Sequence, residues 1–244
     1  MVSIDYRLSH EAKFPAQIQD VQAAIRWLRR HGSAYGVDVT RIGLWGSSAG
    51  GHLAALAAMS SQIRWEEDVY SEIPAEVQAV VEGYGPIDFM QMYYPNEAAA
   101  QEAGNEETRR VVMSGEAGQP SREEELLGAP LLEIPDIVSL ANPVTYVRRG
   151  MPPFLILHGL DDELVPVSQS KLLYRALKET DNSVVACFIK GAKHAFLNDN
   201  DFLAKVQDCV YLWKYESGHE DQKTLVKAVS IGQLCLEFFR RNLM

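Results

Sequence analysis

Ser48 stands in Gly46-Ser47-Ser48-Ala49-Gly50, a G-x-S-x-G arrangement that flanks a serine with residues too small to obstruct it. Alone the pattern is weak, because Gly, Ser and Ala are common. Its setting gives it weight: the apolar run Ile42 to Trp45 leads in, and the Ala- and Leu-rich run Ala49 to Met59 leads out as a helix. Strand, tight turn and helix are the context in which such a serine becomes a nucleophile. The glycines allow a turn that forces the serine into strained dihedrals and lets neighbouring backbone pack closely. That turn lifts Oγ above the carboxyl edge of a sheet and aims the Ala49 N–H, at a helix N-terminus, towards a developing oxyanion. The competing explanation is a small-residue helix start needed only for packing. Ser47 occupies the wrong place in the pattern.

A serine hydroxyl is a poor nucleophile at neutral pH, so a base must take its proton and a carboxylate must hold that base. Of the six histidines, His194 follows the strand-like run ending at Ile189, where a loop can reach a strand-edge site. His158 ends a strand before Gly159 and reads as structural, and His52 on the helix after Ser48 reads as orienting that helix or its loops. His10, His31 and His219 lie in polar stretches and read as solvated. His194 is therefore the base. For the carboxylate, His158-Gly-Leu-Asp-Asp-Glu-Leu-Val-Pro turns from strand to loop to helix, and Asp161, Asp162 and Glu163 compete there. Position does not choose among them, although the order Ser…Asp…His is the one this elbow predicts. An acidic cluster before a helix would also complement its dipole.

The elements that must position these residues alternate. Val2 to Arg7 reads as a strand. From Pro15 the period becomes helical, with Ile18, Val21, Ile25 and Leu28 on one stripe and Gly32 as a stop. Arg41 to Trp45, Val77 to Val81, Phe154 to His158 and Val184 to Ile189 read as buried strands. Ser168 is placed to cap a helix burying Leu172, Leu173, Ala176 and Leu177, and a last helix is expected over about Lys223 to Arg240, burying Leu225, Val229 and Phe239 or their neighbours. Such alternation implies a mostly parallel sheet covered by helices on both faces. Residues 86 to 150 break the rhythm without a convincing strand. Within 97 to 125, eight acidic and three basic residues leave a net of −5, half the charge of the chain. This segment reads as a solvated insertion with short helices, or as a lid whose charge disfavours anionic substrates. No repeat or interdomain linker is evident, so residues 1–244 are expected to form one domain carrying that insertion.

Composition excludes several alternatives. The 244 residues carry a formal net charge of −10, which argues against nucleic-acid binding. No apolar run is long enough for a membrane span, and no signal peptide is visible, so the chain as given reads as cytoplasmic, with secretion if an upstream segment carried an export signal. Cys187, Cys209 and Cys235 lie far apart and are odd in number, which fits free thiols better than a disulfide framework.

Ser48 within GSSAGGH, the HGLDDELVP stretch and the GAKHAF stretch resemble an α/β-hydrolase of the esterase/lipase group. Asp5-Tyr-Arg-Leu-Ser with Phe14-Pro-Ala resembles the DYRL…FPA segment of hormone-sensitive-lipase-like esterases. Overall the chain is most similar to bacterial esterases of the bifunctional feruloyl/acetyl-xylan type. Ala141-Asn-Pro-Val-Thr-Tyr-Val and Pro152-Pro-Phe-Leu-Ile-Leu-His-Gly also carry this likeness, which is weakest at 90 to 125. The family pattern HGxxDxxVP falls on His158, Gly159, Asp162, Val165 and Pro166, and so selects Asp162 over Asp161.

The resemblance implies a serine carboxylic-ester hydrolase without metal or organic cofactor. Ser48 would be the nucleophile, His194 the base, Asp162 its orienter and Ala49 an oxyanion donor. Its substrate would be a small ester or acylated carbohydrate, such as an acetyl or feruloyl ester of plant polysaccharide. It also implies a strand and an HGG-type oxyanion loop ahead of DYRL. The sequence shows neither, so it reads as N-terminally truncated relative to the family. Val2 to Tyr6 is then expected to move beside Arg41 to Trp45 or to pair with another chain, with a truncated gene start an equal alternative, and an exposed sheet edge makes a homo-oligomer plausible. Two alternatives share these motifs: a serine peptidase resembling the prolyl oligopeptidase group, and a catalytically impaired hydrolase fold acting as a binding module.

Overall fold

The apolar runs of the sequence become a central sheet in the computed structural model, which describes residues 1–65, 70–94, 120–205, 210–219, 221–226 and 230–244. Strands β1 (Gly43–Ser47), β2 (Ala79–Gly83), β3 (Phe154–Gly159) and β4 (Val184–Ile189) are parallel and adjacent in chain order. β5 (Val210–Tyr215) and β6 (Gln222–Val226) continue the sheet antiparallel. Every residue of β2 and β3 is buried, as two covered faces require.

The period of two sorts the strand side chains into two cores. Val80, Phe154, Ile156, Ala186 and Phe188 face a cluster with helices α1 (Ala16–His31), α2 (Ala49–Met59) and, further along the chain, one over Ser168–Glu179. Val81, Leu155, Leu157, Cys187 and Ile189 face the opposite cluster, which includes Ile231 and Cys235 of the C-terminal helix. α2 is buried along nearly its whole length, which its Ala, Gly and Leu composition permits. Cys187 and Cys235 are free and buried, with burial pushing each thiol up to about 12; Cys209 lies outside the described residues.

Between β2 and β3 come α3 (Phe89–Tyr93), α4 (Arg122–Leu127) and α5 (Pro135–Ala141). Ser121 closes α4 with a capping box to Glu124. Phe89, Leu127, Leu131, Val138 and Ala141 form a small apolar cluster of their own, with Phe14 packed against it. These short helices are thus held by packing as well as solvated. Most of the acidic run, residues 97–119, lies outside the described residues. The remaining helices are α6 (Ser168–Glu179), α7 (Asn200–Lys205) and α8 (Ile231–Leu243). None of the described helices is long and apolar enough to cross a membrane.

Several expectations are corrected. Val2 to Arg7 forms no strand, beside β1 or elsewhere; among the described residues β1 has a strand neighbour only in β2. The Arg7 backbone N–H instead donates to Asp20 of α1 at 2.8 Å, and its guanidinium pairs with the same carboxylate. A residue fastened to a helix in this way cannot also extend a ladder. Ser168 does not cap α6: Val167 holds the cap position, with no side-chain hydrogen bond. The expected helix from Lys223 divides into β6 and α8, with the Ser230 side chain accepting the Gln233 N–H to start the helix. The β5–β6 hairpin captures the first half. The expected burial of Val229 lies outside the described residues.

Candidate active site

β1 runs into the Ser47–Ser48 turn and α2 runs out of it. Ser48 sits at φ 53, ψ −124, a strained conformation that the surroundings must over-determine. The fixing contacts are visible. The Ser48 N–H donates to the Gly83 carbonyl at 2.7 Å, and the Ser48 carbonyl accepts the His52 N–H at 3.0 Å. Gly46 is required by close approach, since a Cβ there would lie 2.0 Å from the Gly50 carbonyl oxygen. Ala49 is the first residue of α2, so its N–H is among those a helix start leaves without an intrahelical partner.

The loops after β3 and β4 bring the other two residues to the serine. Ser48 Oγ is 2.9 Å from His194 Nε2, and His194 Nδ1 is 2.8 Å from Asp162 Oδ2. Asp162 is buried against His194, whereas Asp161 and Glu163 are exposed. Its Oδ1 accepts the backbone N–H groups of Leu164 and Val165, both at 2.9 Å, leaving Oδ2 for His194. Burial alone would raise the Asp162 carboxyl, but hydrogen bonds from His158 and His194 outweigh it and hold the group well below the usual carboxylate range.

The two loops are locked to each other. The N–H groups of Leu160 and Asp161 donate to the carbonyls of Ile189 and Ala192 at 2.9 and 3.0 Å. Gly159 makes this approach feasible: a Cβ there would lie 2.2 Å from the Ala192 carbonyl oxygen, a backbone atom that cannot swing aside. Gly159→Ala is expected to push the His194 loop from the Asp162 loop. A displacement of about 1 Å can cost roughly 10²-fold in rate, so kcat should fall by that order in a steady-state ester assay. A variant with unchanged kcat would show that the loops adjust independently.

The other histidines divide by environment. His158 is fully buried; its Nδ1 is 2.7 Å from Ser170 Oγ, and its Nε2 is 2.9 Å from the Val165 carbonyl and 3.5 Å from Asp162 Oδ2. It thus braces the Asp162 loop from below. His52 Nε2 donates to the Ala141 carbonyl at 2.7 Å, tying α2 to the end of α5. Burial, only partly offset by that bond, pushes the His52 imidazole down to about 4. Unfolded chains protonate it near 6.5, so stability linked to His52 is lost as pH falls from about 6.5 to 4. His52→Gln should therefore lose less stability than the parent over that interval, by about 3 kcal/mol at full effect. Urea unfolding at several pH values checks this, and parallel stability curves would refute it. His10 is exposed beside the cavity, His219 is exposed, and His31 is bonded to Tyr70 at 3.0 Å.

A cavity of about 560 Å³ opens over Ser48. Leu53, Phe89, Met92 and Leu126 supply apolar wall, while Arg7, His10, Arg122, Glu125 and Glu163 supply exposed polar and charged groups of both signs. The volume and mixed lining suit a small organic ligand. Three features around the site were given no role there from the sequence. Tyr6 to Ser9 line the cavity without being a strand. The Tyr84 ring stands edge-on to His194 at 5.0 Å between centroids. Glu82 is a fully buried carboxyl beneath the elbow. A lone acidic residue in the apolar run Ala79-Val-Val-Glu was the signal available for it.

Fold and site together place this chain among the α/β-hydrolases, the architecture of the solved esterases it resembles. The BD-FAE family profile matches residues 1–177, and the chain belongs to that family. It is 33% identical over 196 residues to Esterase LipQ of Mycobacterium tuberculosis, an alignment covering 80% of this chain and 42% of LipQ. Among solved structures, a bifunctional GH43-CE protein of Bacteroides eggerthii superimposes with TM-score 0.66 at 33% identity, covering 82% of this chain and 27% of that one. An acetyl ester-xyloside bifunctional hydrolase of Caldicellulosiruptor lactoaceticus superimposes with TM-score 0.63 at 25% identity, covering 81% and 63% respectively. The chain thus spans less than half the length of LipQ.

Proposed function

We propose that this protein is a serine carboxylic-ester hydrolase working through an acyl-enzyme. The observation that carries the reading is the continuous hydrogen-bonded chain Ser48–His194–Asp162, at 2.9 and 2.8 Å. Ser48 Oγ attacks the ester carbonyl while His194 Nε2 takes its proton. Asp162, with Oδ2 on Nδ1, keeps the imidazole in the tautomer whose Nε2 is free to accept, and it stabilises the imidazolium that forms. The oxyanion faces the Ala49 N–H at the start of α2. His194 then returns the proton to the leaving alcohol, and water repeats the sequence to release the acid.

For substrate, we favour short acyl esters of hydroxylated, carbohydrate-like alcohols, acetyl esters first and feruloyl esters second. The charged and polar groups around the cavity suit a hydroxylated alcohol, and the apolar wall suits the acyl side. A relative described as an acetyl ester-xyloside hydrolase supports the same class. Helices α3 and α4 contribute to the cavity wall, which supports reading the segment between β2 and β3 as its lid, carried on one domain.

The test is steady-state hydrolysis of 4-nitrophenyl acetate by the 244-residue chain beside Ser48→Ala, with the matching anilide as amide control. Ester turnover that depends on Ser48 supports the reading. Turnover confined to the amide would favour the peptidase alternative, and none on either substrate would favour the impaired, binding-only alternative.

A further inference from the structure

β2 carries a carboxyl into the core. Glu82 is fully buried on the α2 side of the sheet, two residues after Val80 and in register with Gly46 of β1. Its Oε1 accepts the Gly85 N–H, while its Oε2 has no hydrogen-bond partner among the described residues. A Cβ on Gly51 would lie 2.8 Å from Oε1, so the carboxyl is wedged between the sheet and the first turn of α2. Burial of an acid favours its neutral form. Burial, eased only in part by the Gly85 N–H, pushes Glu82 up to about 8.

The turn that Glu82 grips touches both reacting partners. Gly83 gives its carbonyl to the Ser48 N–H, and Tyr84 sets its ring edge-on against His194. Tyr84 also takes φ 41, a left-handed conformation that a bulky residue keeps only when held there. Two hydrogen bonds hold it: the Tyr84 N–H to the Leu157 carbonyl on one side, and the Gly85 N–H to Glu82 on the other.

We propose that Glu82 is a positioning residue for this site: through Gly85 it sets the Gly83–Pro86 turn, which holds Ser48 by its backbone and His194 by the Tyr84 ring. The inference rests on the ester-hydrolase reading of Ser48 and His194. It assigns Glu82 no contact with substrate.

Glu82→Gln retains an oxygen for Gly85, whereas Glu82→Leu keeps similar bulk without an acceptor. Glu82→Gln is expected to keep kcat for 4-nitrophenyl acetate within threefold of the parent. Glu82→Leu should lower kcat by 10- to 100-fold with KM within threefold, and should slow fluorophosphonate labelling of Ser48 in parallel. Tyr84→Leu, which removes the ring edge but leaves the carboxyl, should also lower kcat rather than raise KM. It keeps the proposal open to refutation through the Tyr84 contact if Glu82→Leu does not melt cooperatively. Wild-type kcat in a folded Glu82→Leu, equal losses in the Gln and Leu variants, or an unaffected Tyr84→Leu would each overturn the proposal. A parent chain whose Ser48 is not labelled at all would overturn the ester-hydrolase reading itself, and this proposal with it. A labelled parent with indifferent variants overturns only the role of Glu82.

Discussion

Ser48→Ala is expected to lower kcat for a small acetate ester on the order of 10⁶-fold, the scale on which members of such a triad act as a unit. Without Oγ there is no atom from which an acyl-enzyme can form, and His194 loses the proton it is placed 2.9 Å away to accept. Whatever turnover remains must come from binding and the oxyanion donors acting on water. The fold should tolerate the change, because the elbow is held by backbone: the Ser48 N–H on the Gly83 carbonyl and the Ser48 carbonyl on the His52 N–H. Pre-steady-state release of nitrophenolate gives the direct readout, with a burst in the parent and none in the variant. A variant within tenfold of the parent would move the nucleophile elsewhere.

Asp162→Asn is expected to lower kcat by about 10⁴-fold with little change in structure. The Asn carbonyl oxygen can still accept the Leu164 and Val165 N–H groups, so the loop keeps its shape. The side-chain amide then faces His194 Nδ1 in place of Oδ2. An amide N–H donates, so Nδ1 must accept, and the ring proton moves to Nε2. That tautomer offers Ser48 a second donor where a base is required. The same substitution alters the acid limb of stability. The parent carboxyl is held below its ordinary 3.8, so the stability it contributes is present above that pH and is lost as pH falls further. The variant should lack this acid-sensitive part. Kinetics at neutral pH and unfolding between about pH 5 and 2 measure the two effects separately. An Asn variant with near-parent kcat would show that His194 is oriented by something other than Asp162.

Much of this site was legible in the sequence because its parts are local. A G-x-S-x-G between an apolar strand and an alanine-rich helix needs only a dozen residues to define itself, and α2 begins at Ala49 as that pattern requires. The strand-end loops bearing Asp162 and His194 follow apolar runs whose β4 bounds, Val184–Ile189, agree with the sequence reading. The failures have a common cause. Val2 to Arg7 has the composition of a strand, but a strand needs a neighbour, and the Asp20 carboxylate claims the Arg7 backbone instead. Gln222 to Val226 could have opened a helix, until β5 offered an antiparallel partner. In both places local propensity was overridden by the partner that another element offered.

The sequence by itself therefore determined the alternation of strands and helices, the elbow, and the residue types of the candidate triad. It could name Asp162 only by likeness to a family, since three consecutive acidic residues are equivalent in one dimension. Tertiary structure distinguishes them by burying Asp162 and filling its Oδ1 with two backbone N–H groups. It alone placed Tyr84 on His194 and Glu82 beneath α2, because those contacts join β2 to a loop more than a hundred residues later and to a helix that folds back across it. Periodicity fixes which face a side chain takes. Only the packing of one element on another fixes what it meets there.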